Sequence, residues 1–202
     1  MPRALATPRA AASAGIVFAV LLTLVLVLLR LATGTDDAGG WLADPTRRRL
    51  VVLALNLVPF TGIAFLWFIG VVRDRIGAHE DKFFATVSLG SGLLFVAMLF
   101  VAAAVAAGAM VEAAGTPTVS GFGRRIGGIV LHVYAMRMAA VFTISTATIG
   151  LRTALVPRWL GITGYAFATV LLFASDVSRW TELLFPLWVL LLSIDTLRHS
   201  RA

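Results

Sequence analysis

Six stretches of the chain are each apolar for about as long as a bilayer is thick, and that repeated length decides what the chain can fold into. They cover residues 11-32, 50-72, 83-111, 126-150, 159-175 and 183-197. A helix rises ~1.5 Å per residue and the hydrocarbon layer is ~30 Å deep, so ~20 residues make one crossing. Backbone N–H and C=O groups find no water at that depth, so each stretch must satisfy its own hydrogen bonds as a helix. The expected fold is all-α: a polytopic transmembrane helical bundle of about six transmembrane helices, forming a single domain over residues 1-202. Composition points the same way, with 59% of residues hydrophobic and 13% charged, against ~45–50% and ~25% in soluble domains.

The first run follows a basic leader, "MPRALATPR", but is longer than the ~7–15 apolar residues of a secretory signal core and ends in Arg30, so it reads as an uncleaved span. The third run would reach ~43 Å as a helix and should tilt or project. The sixth is short, and its start is expected to lie before Leu183. Lys and Arg near the span ends set orientation. With the N-terminus inside, the inner segments hold Arg3, Arg9, Arg73, Arg75, Lys82, Arg152, Arg158, Arg198 and Arg201, against Arg47, Arg48, Arg49, Arg124, Arg125 and Arg179 outside. Both termini are therefore expected in the cytoplasm, with the chain in the plasma membrane.

The net charge of +7 is spread singly and in short clusters between apolar runs rather than along one face, which argues against a nucleic-acid partner. Cysteine is absent, which excludes disulfides, thiolate metal sites and thiol nucleophiles. Sixteen of the seventeen basic residues are arginine and alanine is abundant, a bacterial, GC-rich composition.

Arg137 stands inside the fourth run, where a charge near mid-bilayer costs ~2.5–3.5 kcal/mol and so faces the bundle interior or water. At ~100° per residue, Tyr134, Arg137, Ser145 and Thr148 share an arc of roughly 80°, a polar stripe. Counted from the run edges, Asp195 on the last run lies at nearly the same depth as Arg137, so an Arg137–Asp195 pair is expected. As a binding path, the stripe would comprise Tyr134, Arg137, Thr148 and Asp195. His132 lies off that face and reads as a hydrogen-bonded helix contact; a bis-histidine haem would need a second intramembrane histidine, so no cofactor is expected.

"SLGSG", Ser88 to Gly92, invites comparison with the G-x-S-G of rhomboid intramembrane proteases, but Leu89 replaces the first glycine and Ser91 sits ~9 Å from the depth of His132. Ser88 and Gly92 fit close helix packing better. "HEDKF" lacks the second histidine of H-E-x-x-H, and Asp36, Asp37 and Asp44 match no calcium loop, so no metal site is expected. In "NLVPFTG", Pro59 removes a backbone donor and frees the Leu55 carbonyl, so a kink is expected, with Asn56 or Thr61 satisfying the freed groups. Trp41, Trp159 and Trp180 fall near expected interfaces, as amphipathic anchors do.

The stretches "LNLVPFTGIAFLWFIGVVRDRIGAHEDKFFATVSLGSGLLFVAMLF", "MRMAAVFTISTATIGLRT" and "PRWLGITGYA" resemble a group of actinobacterial multi-pass integral membrane proteins. The resemblance implies the membrane class and carries no activity, so it assigns no catalytic or binding residue. The expectation from the residues is a non-enzymatic structural or regulatory membrane subunit. Its partners would be the lipid bilayer and a homo-oligomer or larger membrane complex, joined through small-residue faces. The alternatives are a small transporter of a solute, ion or lipid along the stripe, and an intramembrane enzyme.

Overall fold

Chains of this composition must close every backbone hydrogen bond within helices, and in the computed structural model every apolar run does so. The structure describes residues 8–34, 44–76, 82–112, 117–154, 156–174 and 178–199. The helices are α1 (Pro8–Thr33), α2 (Pro45–Ile76), α3 (Lys82–Glu112), α4 (Pro117–Ile129), α5 (Met136–Arg152), α6 (Arg158–Phe173) and α7 (Leu184–His199). A π-helical segment, Val130–Ala135, joins α4 to α5, and a 3-10 turn, Arg179–Leu183, leads into α7. Among the described residues there is no strand. Five segments are long and apolar enough to cross a membrane: Ala12–Thr33, Pro45–Arg73, Phe83–Val111, Gly121–Arg152 and Trp180–Arg198. The sixth, α6, has 16 residues, or ~24 Å. The bundle has two ends: the near end, where α1 starts and α7 finishes, and the far end opposite.

Each span packs beside the next, α1 on α2, α2 on α3, α3 on α5, α5 on α6 and α6 on α7, and α7 returns to α1. The six spans form a closed ring, with α4, the first part of the fourth span, packed on α3. Phenylalanines from five of these helices fill the middle: Phe18, Phe65, Phe68, Phe95, Phe142 and Phe185, each buried. Phe185 meets Phe95 at 5.0 Å between ring centroids, Phe18 and Phe65 at 5.7 Å, and Phe142 at 6.2 Å, all edge to face. That geometry sets the positive edge of one ring on the negative face of another.

Small residues let the helices approach. A Cβ on Gly92 would lie 2.6 Å from Ile69 and 3.2 Å from Phe142, and a Cβ on Gly164 would lie 2.7 Å from the Trp188 indole nitrogen. The Ser88 hydroxyl bonds that of Thr146 at 3.0 Å between α3 and α5. Trp188 donates its indole N–H to the Leu160 carbonyl at 3.1 Å. The expected packing role of Ser88 and Gly92 is thus realised on α3.

The π segment has a cause in the sequence. Facing inward, Gly127, Leu131, Ala135, Ala139 and Thr143 are buried in steps of four. In an α-helix four residues advance ~400°, so such a line drifts ~40° per step. A wider turn, closing i to i+5, takes in one extra residue and so offsets ~100° of the ~160° that four such steps accumulate. Helix α2 runs unbroken through Pro59, which is exposed, as is Asn56. Thr61 is buried but donates to the Leu57 carbonyl at 2.9 Å, not to that of Leu55. Residues 1–7 of the leader, the part of the first interhelical loop with Asp36, Asp37 and Trp41, and most of "HEDKF" lie outside the described residues.

Candidate functional site

The chain turns at Ser178 to start its last span. Ser178 accepts a hydrogen bond from the Trp180 N–H at 3.3 Å, and its carbonyl accepts from the Thr181 N–H at 3.0 Å and hydroxyl at 2.6 Å. Those bonds tighten the turn and send alternate side chains opposite ways. Trp180 points out, 62% exposed, with the Arg30 guanidinium of α1 stacked 4.2 Å from its ring centroid. Such a pair suits an interface, where an indole and a guanidinium both have one wet side. Glu182 points in and is only 3% exposed.

A carboxyl group taken from water needs a partner, and Glu182 has one in His132 of the π segment: the imidazole Nδ1 and the carboxyl Oε1 are hydrogen-bonded. Either the imidazole N–H donates to a carboxylate or a protonated carboxyl donates to the ring, so the bond holds one proton. The His132 side chain is 31% exposed while that of Glu182 is 4% exposed. A Cβ built on Gly128, one turn earlier, would come no nearer than 3.7 Å to the ring. Among the described residues this is the only side-chain hydrogen bond joining the π segment to the 3-10 turn.

The arrangement can hold a proton and offer a second ring nitrogen as donor or acceptor. The Ser91 hydroxyl is bonded to the Val87 carbonyl at 2.7 Å and the Ser88 carbonyl at 3.1 Å of its own helix. Among the described residues no three His, Asp or Glu side chains gather as a metal site requires. The hydrogen-bonded helix contact expected of His132 is present. Glu182, its partner, fell one residue before the apolar run that marked the last span, and so passed for loop.

The polar stripe fares differently. Tyr134 is 55% exposed, whereas Ser145 is buried and donates to the Val141 carbonyl at 2.9 Å. Thr148 donates to the Ile144 carbonyl at 2.7 Å and bonds the Tyr165 hydroxyl of α6 at 2.8 Å. The hydroxyls are thus satisfied within the protein. Arg137 and Asp195 are both half-buried and neither is isolated, but their matched depth does not hold. Helices α5 and α7 run in the same direction, and Arg137 lies five residues farward of Phe142 while Asp195 lies ten residues nearward of Phe185, the ring it touches. The His132–Glu182 contact sets a second register, with Arg137 five residues and Asp195 thirteen residues nearward. At ~1.5 Å per residue the two registers separate the charges by ~12–22 Å along the bundle. The edges of the fourth and last runs are not level, because α4 projects past the start of α7.

Compared with protein-family models, with curated proteins and with solved structures, the chain finds no match.

Proposed function

We propose that this chain is a non-enzymatic multi-pass protein of a bacterial plasma membrane, with both termini cytoplasmic, serving as a structural or regulatory subunit of a homo-oligomer or larger membrane complex. The observation that carries this reading is the phenylalanine-filled centre of the ring. A conduit needs a polar lining that continues from one face to the other, and here five spans meet through edge-to-face rings at mid-bundle. The aliphatic hydroxyls of the stripe, Ser145 and Thr148, are bonded to helix carbonyls and, for Thr148, to Tyr165.

The test uses the absence of native cysteine. Single cysteines at Val141 and Thr148, in membrane vesicles, are treated with a membrane-impermeant polar maleimide added from either side. A packed bundle leaves both unlabelled; labelling of both from one side would establish a water path and favour the transporter through Tyr134, Arg137, Thr148 and Asp195. A subunit role further predicts that the protein leaves the membrane in mild detergent with a stoichiometric second chain or second copy.

A further inference from the structure

The faces of α4 and the π segment both record an extra residue in the helix. The exposed side runs Phe122, Arg125, Ile129, Tyr134, with successive spacings of three, four and five; the step of five crosses the π turn. On the inner side Gly127 rests on the neighbouring helix so closely that a Cβ would stand 3.3 Å from the Ala102 carbonyl oxygen. The next residue is also glycine. A Cβ on Gly128 would meet nothing but the His132 ring, at 3.7 Å and beyond, so the packing seen here gives no reason for its small size.

Unwinding the π turn supplies one. With α5 held fixed, converting the π turn to α-helix makes each α4 residue take the place of the one before it, a rotation of ~100° and a slide of ~1.5 Å. Gly128 then replaces Gly127 against the Ala102 carbonyl, and the close approach to α3 survives. Arg124 replaces Gly123, where a Cβ would stand 3.0 Å from that of Ala109, so the free end of α4 must ease off α3 by a few tenths of an ångström, while the long side chain reaches the polar interface. His132 lies within the converting segment, so its bond to Glu182 can form in only one of the two registers.

We infer that α4 has two registers on α3, the π register clamped by His132–Glu182 and an α register seated on Gly128, and that the clamp decides between them. This is a two-state element of the kind switching proteins use, and it rests on packing alone, independent of the subunit reading. The switch would turn Phe122, Arg125 and Ile129 away from the exposed side and bring Gly123, Ile126 and Val130 to it.

The experiment reads lipid exposure directly. A nitroxide is placed at Ile129→Cys or at Val130→Cys in the full chain, in nanodiscs, and its collision rate with dissolved oxygen is measured. With the clamp intact, the ratio of the rate at 129 to that at 130 lies above one. Glu182→Met removes the clamp and is expected to bring the ratio below one, and His132→Phe should do the same from the other partner. Adding Gly128→Ala to either variant puts a methyl group where only the α register would clash, and should restore the ratio. A ratio unchanged in both clamp variants overturns the inference. So does a change that Gly128→Ala fails to reverse, since a merely loosened fold would not be repaired by one methyl group.

Discussion

Replacing Phe185 with alanine is the most direct probe of the ring's centre. In a bilayer the transfer of an apolar side chain out of water contributes little, because lipid tails are as apolar as the interior; what is lost is packing. Phe185 touches four other rings, at 5.0, 5.7, 5.7 and 6.2 Å. Aromatic pairs contribute ~0.5–1.5 kcal/mol each beyond burial, so four give ~2–6 kcal/mol, and the Phe→Ala range in packed cores is ~3–5 kcal/mol. The rings share neighbours and their terms do not add fully, so a loss of ~3 kcal/mol is expected, a shift of about a hundredfold in the folding equilibrium. The assay is reversible unfolding in mixed micelles, titrated with a denaturing detergent and followed by near-ultraviolet circular dichroism. Phe173, 82% exposed at the end of α6, is the control: Phe173→Ala should change stability by no more than ~0.5 kcal/mol. Equal effects of the two substitutions would refute the claim that aromatic packing closes the centre.

Three other outcomes follow from named contacts. Gly164→Leu drives a side chain into Trp188 and Ala147 and should cost ~1–3 kcal/mol, read as a lowered thermal midpoint in detergent, while Gly90→Ala, which faces open space, should leave the midpoint in place. For the buried Ser88–Thr146 bond, a double-mutant cycle of Ser88→Ala and Thr146→Val should return a coupling of ~0.6 kcal/mol, the membrane average; zero coupling would mean the hydroxyls find other partners. His132→Phe strands a buried carboxyl group, a loss of ~3–5 kcal/mol, so His132→Phe combined with Glu182→Met should be more stable than His132→Phe alone; a double variant less stable than the single would contradict the pairing.

Much of the architecture is legible in the sequence because hydrocarbon imposes one local rule, internal backbone satisfaction, on every long apolar run. The continuous helices over Ala12–Thr33, Pro45–Arg73 and Phe83–Val111 need no tertiary information. The π segment does, since its cause is the match between a four-residue buried line and the face of α3, and an assumed 100° per residue erases it. Phenylalanine carries no directional signal within an apolar span, so nothing marked Phe65 or Phe185 as central and Phe173 as peripheral. The site was half visible: His132 stands out in an apolar run, but Glu182 sits at the run's edge beside Arg179, where a charge reads as solvated loop. The depth of Arg137 relative to Asp195 depends on how far α4 projects and is fixed by contacts between helices, which run edges do not record.

Because α1 and α7 are neighbours, with Gly15 of α1 against Ser193 of α7, the circle cannot be shut until the ribosome has delivered α7. Synthesis proceeds from the N-terminus, so Phe18, Phe65, Phe95 and Phe142 are threaded into the bilayer facing a gap that Phe185 later fills. A nascent chain halted before that point carries an open seam along one flank, which acyl tails or a membrane insertase must line in the meantime. Truncation after α6 should therefore yield a species recognised by membrane quality control, although five of its crossings would already be in place.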